Sequence, residues 1–393
     1  MSQSAALQQD EQSQNISSSL EFTIDRSLLL KSLGHVQSVV EKRNTIPILS
    51  NVKIEAFDNI LSLTATDMDI AVTEQIDTQV ATEGALTVPA HTFYDIIRKL
   101  PDGAQVQIKG DADKTGKVKI NSGSCNFSLS CLPVTEYPVM DNSDLGETFA
   151  LTSAELLALI DKTKFAISTE ETRYYLNGIF LHTKANEEGL KLLCSVATDG
   201  HRLAKVELEA PEGVQDIEGV IIPRKTIIEL RKLIEDSECD IEIALSDTKI
   251  SFICDNAVLL SKLIDGTFPE YDKVIPYGND KVMEIRTDLF IKAVDRVSTI
   301  TSDKTRAIKL IAQEGAVVLS AVNEENSTAK EEVEASYSEA EIEIGLNSRY
   351  ILEMASSIEG DTMELIFADG SAPVLVKDTA DACALYVIMP MRI

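Results

Sequence analysis

The stretch Val196-Ala197-Thr198-Asp199-Gly200-His201-Arg202-Leu203-Ala204 brings a carboxylate, an imidazole and a guanidinium close together. An aspartate beside a histidine is a pattern for acid–base catalysis or for part of a metal site, so a hydrolase using Asp199 and His201 is one reading. The companions that such chemistry needs are missing. The other histidines, His35, His91 and His182, stand at no ligand-like spacing, and no motif fixes a nucleophile nearby. The same residues also read as turn chemistry. The apolar run Leu192, Leu193, Val196 is a strand, Asp199 can bond the backbone two residues on, and Gly200 can take positive φ. His201 and Arg202 then sit at a sheet rim, as a binding site would place them.

The elements that must position this turn recur along the chain. Ala65-Thr66-Asp67 precedes Ala197-Thr198-Asp199, Val88-Pro89 precedes Ile222-Pro223, and the run Ser130 to Pro138 precedes Ser261 to Pro269, each spaced by about 130 residues. A third pass follows, with Leu319 to Asn323 in the place of the Thr-Asp strand and Asn347 to Met354 in that of the second helix. Each pass opens with a short strand and an amphipathic helix: 21–24 then 25–42, 149–151 then 152–166, and 282–285 then 288–300. The first of these helices carries Leu28, Leu29, Leu33, Val36 and Val40 at helical spacing, and Thr152-x-x-Glu155 reads as a capping box for the second. Second helices run 93–100 and 227–234. Three βαβ-type units in a row result. Their proportion of short strands to helices predicts α+β domains with two helices packed on antiparallel sheet. The boundaries read as 21–146, 147–277 and 278–393, after a Gln- and Ser-rich disordered tail over 1–20.

The 393 residues hold 36 basic and 64 acidic side chains, a formal net charge of −28. Taken alone, that sum argues against nucleic acid. The basic residues nevertheless gather on the predicted helices: Arg26, Lys31, His35, Lys42 and Arg43, then Arg98 and Lys99, Lys162 and Lys164, Arg224, Lys225, Arg231 and Lys232, Lys292 and Arg296, and Arg349. Acidic residues gather in the connections 207–218 and 324–343. The pattern predicts a basic face on an acidic molecule. The six cysteines form no Cys-x-x-Cys pair and read as reduced core thiols of a cytosolic protein. No apolar run reaches the roughly 18 residues of a membrane helix, and the N-terminus reads as lacking a leader.

Taken together, Ala197 to Ala204, Arg173-Tyr174-Tyr175-Leu176-Asn177-Gly178 and the ending Met389-Pro390-Met391-Arg392-Ile393 closely resemble the bacterial DNA polymerase III beta subunit family, the sliding clamps, over about residues 21–393. The resemblance implies a head-to-tail homodimeric ring with helices around duplex DNA, no catalytic residues, no cofactor and no metal. It implies DNA contact at Arg43, His91, Glu170, Tyr174 and Tyr175, to which the basic start of a second helix adds Arg224 and Lys225. It places a pocket for short peptide motifs of the replicative polymerase and clamp-loader subunits on Leu176, Thr198, Gly200, His201, Arg202, Leu203, Pro269, Lys273, Val274, Val387, Ile388, Met389, Pro390, Met391, Arg392 and Ile393. His201 and Arg202 would orient the peptide, while Leu176, Leu203, Val387 and the two methionines form an apolar groove. Phe127 and Leu129 would meet Thr299 and Ile300 across the dimer seam. The chain departs from the family pattern at His91 and Lys273, where arginine is expected, at Glu170, where a neutral amide is expected, at Pro373 in place of serine, and at the polar Thr299. Beside this reading stand the hydrolase and a DNA-free peptide scaffold on the same fold, which the net charge and Glu170 favour.

Overall fold

The computed structural model describes residues 17–211, 213–214, 216–302 and 305–392. Most of the expected tail and Ile393 lie outside the described residues.

The first repeat runs β1 (Ser19–Asp25), α1 (Arg26–Gln37), β2 (Asn51–Phe57), β3 (Ile60–Thr66), β4 (Ile70–Asp77), β5 (Gln79–Thr82), β6 (Gly84–Pro89), α2 (Ala90–Lys99), β7 (Gln105–Asp111), β8 (Lys117–Ser122) and β9 (Cys125–Ser130). Ordered structure begins earlier than expected. Leu20 pairs with Gly110 and is buried, so the alternation Leu20, Phe22, Ile24 points into the core from the start of β1. Asp25 caps α1 by accepting the Ser27 N–H at 2.8 Å. The helix stops at Gln37, short of the expected 42. Leu29, Leu33 and Val36 face the core, Leu28 points to solvent, and Val40 is buried from the turn beyond the helix.

The second repeat holds β10 (Glu147–Thr152), α3 (Ser153–Asp161), β11 (Gly178–Ala185), β12 (Lys191–Thr198), β13 (Arg202–Glu209), β14 (Val220–Pro223), α4 (Arg224–Ile234), β15 (Asp240–Leu245), β16 (Lys249–Cys254) and β17 (Ala257–Lys262). The third holds β18 (Lys281–Arg286), α5 (Thr287–Ser298), β19 (Ala307–Gln313), β20 (Ala316–Val322), β21 (Thr328–Glu334), β22 (Ile342–Asn347), α6 (Ser348–Ala355), β23 (Thr362–Phe367), β24 (Val374–Asp378) and β25 (Ala384–Ile388). The expected helix over 152–166 is α3 followed by a separate 3-10 turn at Lys164–Ala166. The acidic segment 324–343 is no mere connection, because it contains β21.

By internal contact the chain divides into two compact units, one of residues up to Ser153 with Ile228–Lys262, the other of Ala154–Ile227 with Leu263–Ile393. The first unit carries the sheets β5-β1-β7-β8-β9 and β10-β15-β16-β17-β4-β3-β2-β6, and the second carries β14-β11-β12-β13-β25-β24-β23-β18 and β21-β20-β19-β22. Every strand pair among the described residues is antiparallel, which corrects the βαβ reading, since a βαβ unit needs parallel strands. Sheets cross the repeats. In the first unit β17 pairs with β4, and in the second β25 pairs with β13. The cysteines are all free, as expected, but Cys383 is exposed rather than in a core.

Candidate functional site

In the second unit, β12 and β13 meet at the turn singled out in the sequence. Thr198 donates its hydroxyl to the Arg202 carbonyl at 2.6 Å and accepts the Gly200 N–H at 3.1 Å. Asp199 Oδ1 accepts the N–H groups of His201 and Arg202 at 2.9 and 3.0 Å, and Gly200 has φ +86°. The positive φ favours glycine, and a Cβ there would lie 2.6 Å from the Arg173 guanidinium, whose flexible end would have to shift. The Asp199 carboxylate is therefore spent on the turn. It does not orient His201, which is exposed and stacked 6.1 Å from Tyr350, and the acid–base dyad of a hydrolase is not assembled.

Arg202, the next residue, is bound into the fold. Only 7% exposed, it gives Nε to Asp199 at 3.1 Å, Nη1 to Glu353 at 2.5 Å and Nη2 to the Phe165 carbonyl at 2.5 Å. Its plane lies 4.5 Å from the Tyr350 ring and 5.2 Å from Phe165. The guanidinium braces the second and third repeats against each other. Burial tends to raise the Glu353 carboxyl pKa, but hydrogen bonds from Arg349 and Arg202 outweigh it and hold the group below its ordinary value.

Beside the turn lies an apolar cluster of Leu176, Val196, Leu203, Ile221, Phe268, Tyr271, Ile275, Ile366, Leu375 and Val387, with Tyr175 and Phe180 against it. Of the five residues expected to form a groove, Leu176, Leu203 and Val387 lie in this cluster, whereas Met389 is exposed and Met391 half-buried. The last strand is carried past Ile388, with the Met389 N–H on the His201 carbonyl and the Met391 N–H on Gly345, both at 2.9 Å. Pro390 is half-buried and Arg392 exposed. Pro269, Lys273 and Val274 are exposed, and Lys273 pairs with Glu270. At position 373 the proline carbonyl takes a hydrogen bond from Asn279 at 3.0 Å.

Sequence reasoning missed what holds this wall. His182 Nε2 lies 2.8 Å from the Tyr271 hydroxyl, its ring stands 4.9 Å from Phe180, and Phe180 stacks on Phe268 at 4.7 Å. Burial pushes the His182 pKa down and the Tyr271 pKa far up. The signal was available: Phe180 and His182 alternate on β11 and share one face.

The residues expected to meet DNA fall in different settings. Arg43 is exposed in the bend after α1, Arg224 is exposed at the start of α4, and Lys225 is half-buried. Tyr174 is 54% exposed and meets the half-buried Tyr175 edge to face at 5.8 Å. Glu170 pairs with Arg173 at 2.7 Å, and this contact lowers its pKa. The two nitrogens of His91 lie 2.9 Å from Gln37 Oε1 and 3.0 Å from the Val40 carbonyl, so the ring clasps the end of α1. The expected basic face is partly neutralised. Arg26, Arg98, Lys162, Lys164, Lys232, Lys292, Arg296 and Arg349 all pair with acids, whereas Lys42, Arg43, Lys99 and Arg224 make no ion pair among the described residues.

Three repeats, each with helices on antiparallel sheet and joined strand to strand, define the class of DNA clamps. The repeats match, in order, the family models of the DNA polymerase III beta subunit N-terminal domain (residues 20–141), central domain (150–270) and C-terminal domain (272–392). The chain belongs to this family, the beta sliding clamps. The Beta sliding clamp of Caulobacter vibrioides NA1000 is 48% identical over 374 residues, 95% of this chain and 100% of the relative, and that of Escherichia coli K12 is 34% identical at the same coverage. A Bartonella birtlesii DnaN sliding clamp bound to griselimycin superposes with a TM-score of 0.91 at 46% identity, covering 95% of this chain and 100% of that one. The Caulobacter crescentus polymerase sliding clamp gives 0.87 at 48% identity with the same coverage. The protein is a DNA sliding clamp of replication, a processivity factor. No helix among the described residues is long and apolar enough to cross a membrane.

Proposed function

We propose that two copies of this chain close head to tail into a ring around duplex DNA in the cytoplasm, hold a replicative polymerase and a clamp loader by short peptide motifs, and catalyse nothing themselves. The observation that carries the ring is the repeated strand pairing. β17 joins β4 between the first and second repeats, and β25 joins β13 between the second and third. The third pairing of this series is β9 with β21. Both end their sheets within the chain, so each is an edge that a second copy can complete. Phe127, 39% exposed, and Leu129 on β9 would then meet Thr299 and Ile300 beyond α5.

Arg43, Arg224, Lys225, Tyr174 and Tyr175 supply charge and stacking surface for sequence-blind phosphate and base contact. Glu170 would act through Arg173, and His91 by fixing the bend that carries Arg43. The groove over Leu176, Leu203 and Val387, rimmed by His201, Lys273, Val274, Met389 and Met391, suits an extended apolar peptide, because methionine adapts to differing partners. The consumption of Asp199 by its turn supports the absence of catalysis.

Retention after loading tests the proposal. The protein should remain on nicked circular DNA and leave the same DNA once it is linearised. Equal loss from both templates would reject encirclement.

A further inference from the structure

The junction between the first and second repeats contains a polar pair that the apolar seam residues do not suggest. Ser38, the C-terminal cap of α1, donates its hydroxyl to the Glu229 carboxylate and lies 3.3 Å from the His35 carbonyl of its own helix. Glu229 is only 6% exposed and also receives Lys232, three residues on, at 3.0 Å.

Both members have counterparts facing the open edges. Thr299 is the C-terminal cap of α5, a helix of 12 residues like α1, and its hydroxyl likewise turns back to its own helix, on the Asp295 carbonyl at 3.2 Å. Asp95 occupies the same place in α2 that Glu229 occupies in α4, five residues after the first helical position, and it too pairs three residues on, with Arg98 at 2.9 Å. The two sites differ most in exposure. The Asp95 side chain is 51% exposed where Glu229 is covered.

Resting on the ring reading above, we propose that Thr299 of each protomer donates its hydroxyl to the Asp95 carboxylate of a second copy, repeating across the seam the Ser38–Glu229 bond inside the chain. The occupant is a second copy because the same two strand edges, β21 and β9, must be completed for Thr299 and Asp95 to meet as Ser38 and Glu229 do. A hydroxyl bonded to a charged acceptor is stronger than one bonded to a carbonyl, so the rotor should leave Asp295 when the seam closes. Threonine at this cap is then a seam contact and not a lost apolar one.

Sedimentation of a dilution series tests this with the full chain and with Asp95→Ala, Thr299→Val, Thr299→Ser, Arg98→Ala and the Asp95→Ala/Thr299→Val double variant, each checked for a native melting transition. Wild type and Thr299→Ser should dissociate alike. Asp95→Ala and Thr299→Val should each weaken the dimer by about tenfold, and the double variant should be little weaker than either single one. Arg98→Ala should have the smaller effect, which separates loss of the local pair from loss of the seam bond. A dimer in which the two substitutions act independently, or in which Thr299→Val changes nothing, overturns the pair and leaves the ring. A wild-type chain that stays monomeric at every concentration overturns both.

Discussion

Arg202 Nη1 stands 2.5 Å from Glu353 Oε2, joining the turn after β12 to helix α6. The imidazole of its neighbour in sequence, His201, is exposed and stacks on the Tyr350 ring. The two residues should therefore answer substitution in opposite ways. Arg202→Ala should cost roughly 3 kcal/mol of stability, the low end for breaking a buried pair, because Glu353 keeps some contact with water. His201→Ala should stay within about 0.5 kcal/mol of wild type while weakening a polymerase-derived peptide. Urea unfolding and fluorescence anisotropy of a labelled peptide give both numbers. Equal destabilisation by the two changes would contradict the assignment.

Gly200 offers a backbone test of the same turn. Alanine there meets positive φ and the Arg173 guanidinium together, so Gly200→Ala should cost about 1–2 kcal/mol and displace Arg173 from Glu170. The melting temperature should fall. A variant melting at the wild-type temperature would mean that the turn has another conformation.

The His182–Tyr271 bond gives a pH dependence with a definite sign. Burial holds the folded His182 pKa below its ordinary 6.5, so below that pH the unfolded chain binds a proton that the folded chain resists. Stability contributed by the neutral ring is complete above about pH 6.5 and declines as pH falls, by at most about 1.4 kcal/mol per unit. The stability difference between wild type and His182→Gln should shrink from pH 7.5 to 5.5. The same descent should loosen peptide binding, since Tyr271 begins the short helical turn that carries Lys273 and Val274. A difference independent of pH would remove the ring from this role.

DNA contact should be read from salt dependence. Arg43→Ala and Arg224→Ala should each lower the slope of log affinity against log salt by about one, the signature of one lost phosphate contact. His91→Ala should change stability more than slope, because both ring nitrogens are held inside the fold. Titrations at several salt concentrations on short duplexes decide this. Unchanged slopes for both arginine variants would move the DNA surface elsewhere.

The repeat was legible because strand alternation and turn residues such as Thr198, Asp199 and Gly200 act locally. That Leu176, Leu203 and Val387 gather in one apolar cluster was legible from their apolar character beside the turn and the last strand. The setting of Arg202 was not legible, because it is made by Phe165, Tyr350 and Glu353, residues distant in sequence whose convergence no spacing reports. The basic face was overstated for a similar reason. A lysine on a helix looks the same in sequence whether or not an acid such as Asp381 lies beside it, as it does beside Lys162. Helix ends were misplaced where burial continued past the helix, as at Val40.

The middle repeat lends one sheet to each neighbour, through β17 on one side and β13 on the other. Excised as a free-standing module, it would carry two raw borders of unsatisfied amide and carbonyl groups and would be prone to stick to itself. Truncations should accordingly be placed elsewhere, and a graft exchanging this segment between species would have to match both flanking ladders at once.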